Sequence, residues 1–158
     1  MENPIVSVII PCFNSEKFVA RSLRSILNQT LIREKYEIIV INDGSEDKTE
    51  FIVNQFKEDI RYFKFVKNKG LPNALNKAIA ESKGKYICRL DSDDFVNQYY
   101  LLFLLEFMIQ HPRAKVCKCD YYLVNEDGEE REYKSSEEYP IGCGTMFEKD
   151  LILEMGGY

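Results

Sequence analysis

Three aspartates lie within four positions of one another, directly after an apolar run that is typical of a buried strand. Asp91, Asp93 and Asp94 follow the run 86–90, which reads YICRL. In an extended segment, side chains two positions apart face the same side, so the carboxylates of Asp91 and Asp93 are expected to lie together. One or two carboxylates, completed by phosphate oxygens and water, suit a hard divalent cation such as Mg²⁺ or Mn²⁺. The cluster therefore predicts a cation site that stabilises charge on a departing diphosphate.

A structural alternative stays open for the same cluster. Aspartate is a favoured helix N-cap, and Asp93 or Asp94 would then cap a helix that begins near Phe95. A cap accounts for one carboxylate, whereas the chain places a pair of them at the end of a predicted strand.

Three further polar segments follow apolar runs. Pro11 ends the first run and is followed by Phe13 and Asn14, Asp43 lies in Asn-Asp-Gly-Ser, and Lys69 lies in Asn-Lys-Gly. Asp43 is a candidate acceptor for the ring N–H of a nucleobase on which Phe13 would stack. The alternatives are ordinary turn chemistry for Asp43 and core packing for Phe13. Lys69 precedes a glycine turn into a helix N-terminus, where backbone N–H groups attract phosphate.

Strand and helix patterns alternate from the start of the chain to residue 90. Short β-branched runs predict strands over 5–10, 36–41, 62–66 and 86–90. Three helices are predicted between them. The first is capped by Asn14 or Ser15 and has Val19, Leu23 and Ile26 on its inward face. The second covers 47–57 with Phe51, Ile52 and Phe56 inward, and the third covers 71–82 with Leu75, Ala78 and Ile79 inward and is ended by Gly84. This order predicts an α/β fold with a mostly parallel central sheet and helices on both faces. In such a sheet, ligands bind at the carboxyl ends of the strands, where all four polar segments fall.

The second half of the chain is less regular. The patterns predict a helix over 98–110 that is apolar on nearly all sides and therefore buried, one long strand over 115–124, a turn over 125–128, a charged return segment over 129–138, and a short strand followed by a helix over 148–155 that Gly156 and Gly157 cap. The lone His111 is expected to end the helix over 98–110 and to interact with its dipole.

Composition narrows the class of protein. The chain has 158 residues, 45% of them hydrophobic, and a net charge of −5 without a basic run, which argues against nucleic acid as a partner. Its five cysteines predict buried free thiols in a reducing, cytoplasmic compartment. The start, Met1-Glu2-Asn3-Pro4, has no targeting pattern. A peripheral membrane contact through the apolar stretch 99–109 and a homo-oligomer are left open.

Taken together, these segments resemble the donor-binding, N-terminal portion of the family 2 inverting glycosyltransferases. The resemblance runs from Val6 to Tyr158 and is carried by VSVIIPCFN at 6–14, SILNQT at 25–30, EIIVINDGS at 37–45, NKGLPNALNKAI at 68–79, GKYICRLDSDD at 84–94 and GTMFEKDLILEMGGY at 144–158. Each segment alone is common, and it is their order that carries the likeness. The resemblance implies a Rossmann-like glycosyltransferase A-type fold in a single domain over 1–158. It also implies that 1–94 binds the nucleotide and that 95–158 begins the acceptor side.

The same resemblance implies a substrate and a set of contacts. The donor would be a nucleotide-diphospho-sugar, such as a UDP-sugar, and the acceptor a saccharide or lipid-linked saccharide in polysaccharide or glycoconjugate synthesis. The implied roles are nucleotide binding by Pro11, Phe13, Asn14, Asp43, Lys69, Asp91 and Ser92, metal binding of Mn²⁺ or Mg²⁺ by Asp91 and Asp93, and the acceptor side at Gly144 and Thr145. Asp94 matches a second acidic residue that often follows this motif.

Two departures from the family pattern qualify the expectation. Leu75 stands where many members have an arginine, so that any phosphate contact must come from elsewhere, with Lys69 as the candidate. The family's general base is a carboxylate expected beyond Tyr158, and the nearest acids, Glu148 and Asp150, are expected on an exposed helix face. Since inversion needs a base to take the acceptor proton, we expect this chain to bind donor and metal but to transfer sugar poorly or not at all.

Two other classes of protein are the alternatives. A non-catalytic nucleotide-sugar-binding module fits the missing base. A phosphotransferase of the haloacid dehalogenase type is disfavoured, because its nucleophilic aspartate belongs on the first strand, which here ends in Pro11-Cys12-Phe13.

Overall fold

The computed structural model describes residues 4–129 and 131–158. Two predictions concern residues outside these ranges. They are the absence of a targeting pattern, which involves Met1, Glu2 and Asn3, and the return segment at Glu130.

Within residues 4–129 and 131–158, eight strands form two sheets. They are β1 Val6–Cys12, β2 Tyr36–Asn42, β3 Arg61–Lys64, β4 Tyr86–Arg89, β5 Val116–Lys118, β6 Tyr121–Val124, β7 Arg131–Lys134 and β8 Thr145–Glu148. The larger sheet has the order β3-β2-β1-β4-β8-β5, and the smaller one pairs β6 with β7. Strands β3, β2, β1 and β4 are parallel, while β8 runs antiparallel to both β4 and β5. The predicted mostly parallel sheet is confirmed, and its strand order reverses between β1 and β4.

Five α-helices accompany the sheets in the described residues. They are α1 Val19–Leu27, α2 Thr49–Val53, α3 Leu71–Glu81, α4 Tyr100–Gln110 and α5 Lys149–Glu154. The apolar residues of α1, α2 and α4 pack on one face of the larger sheet, and those of α3 and α5 pack on the other. The central strands β1, β2 and β4 are mostly apolar because both of their faces are covered. The predicted helices on both faces are confirmed.

The inward faces of α1 and α3 are as predicted. Val19, Leu23 and Ile26 of α1 are buried, and so are the three predicted residues of α3, Leu75, Ala78 and Ile79. Amphipathic spacing identified these faces because each helix packs on the sheet along one stripe.

The predicted cap of α1 is wrong. The helix begins after Phe18 without a side-chain cap, and the Ser15 carbonyl accepts the N–H groups of Phe18 and Val19. The side chains of Asn14 and Ser15 are engaged elsewhere: Asn14 Oδ1 accepts the N–H of Glu46, and Ser15 Oγ is 2.7 Å from the Oγ of Ser92. Both side chains join strand ends together instead of capping the helix.

Helix α2 is shorter than the predicted 47–57, and its predicted inward face is correct in part. Ile52 and Phe56 are partly buried against the core as predicted, whereas Phe51 is exposed and the fully buried residues of the helix are Thr49 and Val53. Thr49 faces inward because its Oγ1 accepts the N–H of Ser15 at 2.7 Å. A polar tertiary contact therefore sets the orientation of this short helix.

Gly84 does not end α3, which stops at Glu81. A Cβ at Gly84 would lie 2.6 Å from the backbone nitrogen of Ser7, and the Gly84 N–H donates to Ser7 Oγ at 2.9 Å. The glycine is needed for a close approach of the chain to β1, not for a helix cap.

Helix α4 occupies the predicted place and ends at His111 as expected, but its predicted burial on nearly all sides is wrong. Leu101, Leu105 and Met108 are buried, whereas Phe103 is 66% exposed and Phe107 is exposed as well. The helix packs on the sheet along one side, and its largely apolar composition does not show which side that is. In the described part of the chain, no helix is long and apolar enough to cross a membrane.

The segment 115–124 is two strands and not one. Strand β5 belongs to the larger sheet and β6 pairs with β7, and between them Cys119 donates its N–H to the carbonyl of Gly144. Asp120 turns the other way, since its carboxylate accepts the hydroxyl of Tyr133 and the N–H of Ser136. The strand is interrupted at this dipeptide because Cys119 bonds to Gly144, next to β8, whereas Asp120 bonds to Tyr133 of β7 and to Ser136 beyond it.

One further prediction for the second half is wrong: Glu148, expected on an exposed helix face, is the last residue of β8, and its side chain is 14% exposed and pairs with Lys85 and Lys115. The predicted turn, return segment and last helix are confirmed. The turn over 125–128 closes with the N–H of Gly128 on the carbonyl of Asn125, and the described part of the return segment pairs with β6. Helix α5 follows β8 and ends at Gly156 and Gly157, which have φ of 90° and 88°. All five cysteines are free thiols, and burial raises the pKa of Cys88 to about 12.

Candidate functional site

A crevice lies at the carboxyl ends of β1 and β4, where the strand order reverses. Ser15 and Ser92 bridge these two ends through their hydroxyls, 2.7 Å apart, and Ser92 is buried. Ser22 of α1 donates its hydroxyl to the Asp91 carbonyl at 3.2 Å. These contacts hold the acidic segment against α1 and β1. The nucleotide contact predicted for Ser92 stays a prediction, and its observed role is to join the two strand ends.

The part of the site that is predicted to bind the nucleobase lies at the ends of β1 and β2. Phe13, directly after β1, is 48% exposed, so core packing does not explain it. Pro11 lies within β1, and Asn14 has a φ of 48° and donates its N–H to Ser45 Oγ at 3.0 Å. The structure therefore leaves an aromatic ring free at the edge of the crevice, beside a loop that is tied to the end of β2.

Asp43 follows β2 and is 4% exposed. Its Oδ1 accepts the N–H of Lys69 at 2.7 Å and its Oδ2 accepts the N–H of Gly70 at 2.9 Å. The neighbouring Gly44 has a φ of +73°, and a Cβ there would lie 2.5 Å from the nitrogen of Asn68. Asp43 thus holds the turn 68–70 against β2, and the predicted contact with a nucleobase would have to use the lone pairs that remain.

Lys69 lies on the β2 side of the crevice. Its Nζ is 4.5 Å from the ring centroid of Phe65, and its backbone N–H is on Asp43. Strand β1 separates β2 from β4, at whose end the acidic cluster lies. Lys69 therefore lies with the residues predicted to contact the nucleobase, and its contact with phosphate stays a prediction.

The three aspartates of the acidic cluster are in three different environments. Asp91 is paired with Arg89, whose Nε and Nη2 donate to its two oxygens at 2.7 and 2.9 Å. Asp93 is exposed. Asp94 is half-buried, and burial raises the pKa of its carboxyl, although a hydrogen bond from Cys143 acts in the opposite direction. All three line one cavity.

The helix-cap alternative for this cluster is wrong. The next helix in the chain is α4, which begins at Tyr100 after Tyr99 and has no side-chain cap. Asp93 and Asp94 lie in a turn closed by the N–H of Asp94 on the carbonyl of Asp91. Their carboxylates are therefore not used to begin a helix.

The cavity has a volume of about 760 Å³ and lies between the acidic cluster and the β6–β7 hairpin. Its other lining residues are Phe18, Arg21, Phe95, Val96, Asn97, Tyr100, Cys119, Asp120, Tyr121, Tyr122, Leu123, Val124, Asn125, Glu126, Arg131, Ile141, Cys143 and Gly144. Gly144, predicted on the acceptor side, lines it. Thr145 is buried and directs its hydroxyl to the carbonyl of Ile141 at 3.3 Å, so it does not line the cavity.

Arg21 is a cavity residue that the sequence analysis missed. Its guanidinium lies 4.5 Å from the ring centroid of Phe95 and donates to the carbonyls of Glu126 at 3.1 Å and Asp93 at 3.4 Å. It thereby connects α1, the acidic segment and the hairpin. On the sequence it is one polar residue on the outer side of an amphipathic helix, with no local signal for this role.

The carboxylates at this site suit a cation whose remaining ligands are supplied by a bound substrate. Among residues 4–129 and 131–158, no group of three or more histidines, cysteines or acids forms a ready-made metal cage. Mg²⁺ and Mn²⁺ sites at phosphates use one or two carboxylates, with phosphate oxygens and water as the remaining ligands. Asp93, exposed at the cavity, and Asp94 beside it supply oxygen donors of this kind.

Comparison with known sequences identifies the family. The sequence model of Glycosyl transferase family 2 matches residues 7–154. The chain belongs to glycosyl transferase family 2. The probable glycosyltransferase YdaM of Bacillus subtilis is 33% identical over 130 residues, which are 78% of this chain and 31% of the relative. The poly(ribitol-phosphate) beta-glucosyltransferase of Bacillus spizizenii is 41% identical over 101 residues, 61% of this chain and 16% of the relative.

Solved structures agree on the fold of this family 2 chain. Staphylococcus aureus TarS 1–349 in complex with UDP-GlcNAc matches with a TM-score of 0.83 and 23% identity, over 96% of this chain and 47% of that one. The mannosyltransferase PcManGT from Pyrobaculum calidifontis, in complex with GDP-Man and Mn²⁺, matches with a TM-score of 0.77 and 20% identity, over 100% of this chain and 48% of that one. The glycosyltransferase A-type fold predicted from the sequence is confirmed. The family 2 chain spans less than half the length of these relatives.

Proposed function

We propose that this family 2 chain binds a nucleotide-diphospho-sugar in the crevice between β1 and β4 and presents the sugar to an acceptor hydroxyl for transfer with inversion. The observation that carries the proposal is the acidic cluster, whose three carboxylates line one cavity at the point where the strand order reverses. Ligands of open α/β sheets bind at that point. The bound UDP, UDP-GlcNAc and GDP-Man of the solved neighbours support a donor of this class. Residues 4–94 supply the nucleotide side in this proposal and 95–158 begin the acceptor side.

The nucleobase would lie over the ends of β1 and β2. Phe13 offers an exposed ring for stacking, and Pro11 and Asn14 shape the loop next to it. Asp43 would accept a ring N–H through a free lone pair, as uracil, thymine or guanine would provide. We favour UDP because the neighbour with the higher TM-score was solved with UDP and UDP-GlcNAc.

The diphosphate would then reach the end of β4. A bound Mn²⁺ or Mg²⁺ would neutralise charge on the departing diphosphate. Asp93 is the proposed metal ligand, because its carboxylate is exposed at the cavity, and Asp91 is proposed to face the ribose and phosphates. The neighbour solved with Mn²⁺ supports the choice of ion.

The part of the cavity that is lined by the β6–β7 hairpin is the proposed acceptor side. Its aromatic rings, with Tyr121 and Tyr122 from the hairpin, present flat apolar faces beside the carboxylates of Asp94 and Asp120. Flat rings pack against the C–H faces of sugars, and carboxylates accept their hydroxyl groups. This lining supports a saccharide or lipid-linked saccharide acceptor in polysaccharide or glycoconjugate synthesis. Poor transfer by the chain alone, a cytoplasmic location, membrane contact and self-association stay predictions.

Calorimetric titration tests the donor site. UDP, GDP and dTDP would each be titrated in Mn²⁺ and in EDTA into the wild type, Asp93→Ala and Asp150→Ala. We expect one nucleotide to bind in a Mn²⁺-dependent manner, Asp93→Ala to weaken that binding at least about tenfold, and Asp150→Ala to leave it unchanged. Asp150 is the matched control because it is an exposed aspartate on α5.

Binding that ignores both the metal and Asp93 would contradict the proposed site. Robust sugar transfer by this chain alone, once a candidate acceptor is added, would contradict both the predicted poor transfer and the alternative of a non-catalytic nucleotide-sugar-binding module.

A further inference from the structure

Arg89, the last residue of β4, forms a bidentate ion pair with Asp91, the first aspartate of the acidic cluster. Its Nε donates to Asp91 Oδ1 at 2.7 Å and its Nη2 donates to Oδ2 at 2.9 Å. Two parallel hydrogen bonds of this kind set the orientation of a carboxylate as well as its position. The Arg89 side chain is only 14% exposed, so the pair is shielded from water on most sides.

The surroundings hold Arg89 in this orientation. A Cβ at Gly142 would lie 2.4 Å from Nη1 of Arg89, so the chain passes close to the guanidinium. Tyr158 lies on another side, where the charge and a hydrogen bond of Arg89 lower the pKa of its hydroxyl while burial raises it by more. The backbone of Tyr158 is in turn held by Asn76, whose side chain bonds both its N–H and its carbonyl at 2.9 and 3.0 Å. Contacts on several sides therefore fix the position of the Arg89 side chain.

This arrangement separates Asp91 from Asp93 chemically. The lone pairs of Asp91 that face Arg89 are used, and the guanidinium balances its charge, while the rest of the carboxylate lines the cavity. Asp93 is exposed, and no donor among the described residues reaches its carboxylate. Asp91 is thus a fixed, charge-balanced acceptor, and Asp93 is free to bind a cation.

We propose that Arg89 is a positioning residue of the donor site, which fixes the Asp91 carboxylate so that it accepts a hydrogen bond from the donor nucleotide and leaves the metal to Asp93. This inference rests on the proposed function. A lysine at position 89 would keep the charge but lack the planar pair of donors, so it would not fix the carboxylate.

A double-mutant cycle on nucleotide affinity tests the inference. The dissociation constant of the best-binding nucleotide in Mn²⁺ would be measured for the wild type, Arg89→Lys, Asp91→Asn and the double variant. We expect Arg89→Lys to weaken binding about tenfold in the wild-type background and to have no further effect in the Asp91→Asn background. Arg61→Lys is the matched control, because Arg61 also pairs with a carboxylate, Glu37, but at the other end of the sheet. It should lower stability without changing nucleotide affinity.

The outcomes distinguish the inference from the function on which it rests. If the wild type binds no nucleotide, the proposed function fails and the inference with it. If the wild type binds but the effects of Arg89→Lys and Asp91→Asn add, Arg89 acts otherwise than through Asp91 and the inference is overturned. A second readout needs neither nucleotide nor metal. The ¹⁵N NMR signal of the Arg89 Nε–H should be protected from exchange with water in the wild type and in Asp93→Asn. It should lose that protection in Asp91→Asn, and protection that persists there would contradict the pairing.

Discussion

The two ends of the larger sheet treat their carboxylates in opposite ways. At the amino end, Glu37 is 9% exposed, and its oxygens accept hydrogen bonds from Ser7 Oγ at 2.6 Å, the N–H of Lys83 at 2.6 Å and Nη1 of Arg61 at 2.7 Å. At the carboxyl end, Asp93 is exposed at the cavity, and no described donor reaches its carboxylate. One end is closed by its own hydrogen bonds, and the other is left to be completed from outside.

The difference shows how a structural carboxylate is told from a ligand-binding one. Burial alone does not decide it, because a buried carboxylate has to be satisfied by something, and the protein itself does so at Glu37. What decides it is how many acceptor positions the fold leaves unused. Asp91 lies between the extremes, with one side filled by Arg89 and the other toward the cavity.

The largest expected effect would be seen at the closed end. Glu37→Ala leaves Arg61, Ser7 and the N–H of Lys83 without their shared acceptor in a mostly buried place. Because breaking one partner of a buried charge pair is strongly destabilising, we expect the free energy of unfolding to fall by about 3 kcal/mol. Urea denaturation followed by circular dichroism measures it.

An exposed glutamate provides the control for that substitution. Glu58 has a side chain that is 87% exposed and pairs with Lys57 on the surface, so Glu58→Ala should change the free energy of unfolding by less than about 0.5 kcal/mol. Equal effects of the two substitutions would remove the distinction between a closed and an open end.

The second expected effect is a loss of stability in acid. Burial raises the pKa of Glu37, but the hydrogen bonds from Ser7, Arg61 and Lys83 outweigh it, so the pKa in the folded chain is lowered. The unfolded chain therefore binds the proton first, and the stability from Glu37 is fully present above the unfolded pKa of about 4.3 and is lost as pH falls through the folded value. Urea denaturation at intervals of about one pH unit between pH 6 and pH 3 measures how the free energy of unfolding depends on pH in the wild type and in Glu37→Gln.

Because Asp47 and Glu81 also have lowered pKa values, Glu37 is not the only source of such a slope in the wild type. The contribution of Glu37 is the difference between the two proteins. A Glu37→Gln variant that lost as much stability in acid as the wild type would show that Glu37 carries no proton-linked stability.

What the sequence predicted well is what short stretches of chain determine. The β-branched runs of β1 and β2 and the helix stripe of Val19, Leu23 and Ile26 are local patterns, and each is confirmed. The order of elements then placed the acidic cluster at the reversal of the sheet, since chirality and connection rules leave few alternatives.

What the sequence did not predict depends on partners that are distant along the chain. Thr49 turned α2 because it binds Ser15, and the interruption at Cys119 and Asp120 follows from partners next to β8 and in β7. The cavity residue Arg21 donates to the carbonyl of Glu126, which is 105 positions away along the chain. No periodicity in the sequence encodes such pairings, because each half of a pair is unremarkable by itself.

The smallest expected effect is the one that sharpens the comparison most, and it lies at the open end. Asp93→Asn removes a charge beside Asp91 and Asp94 without removing a hydrogen bond that the described residues make to that side chain. Relief of like-charge repulsion favours the variant slightly, so the free energy of unfolding should stay within about 0.5 kcal/mol of the wild type or rise. A helix cap would behave differently, since losing one costs about 1 kcal/mol. If urea denaturation of Asp93→Asn showed a loss of that size, Asp93 would belong with Glu37 among the structural carboxylates, and the open end of the sheet would have to be sought elsewhere in the cluster.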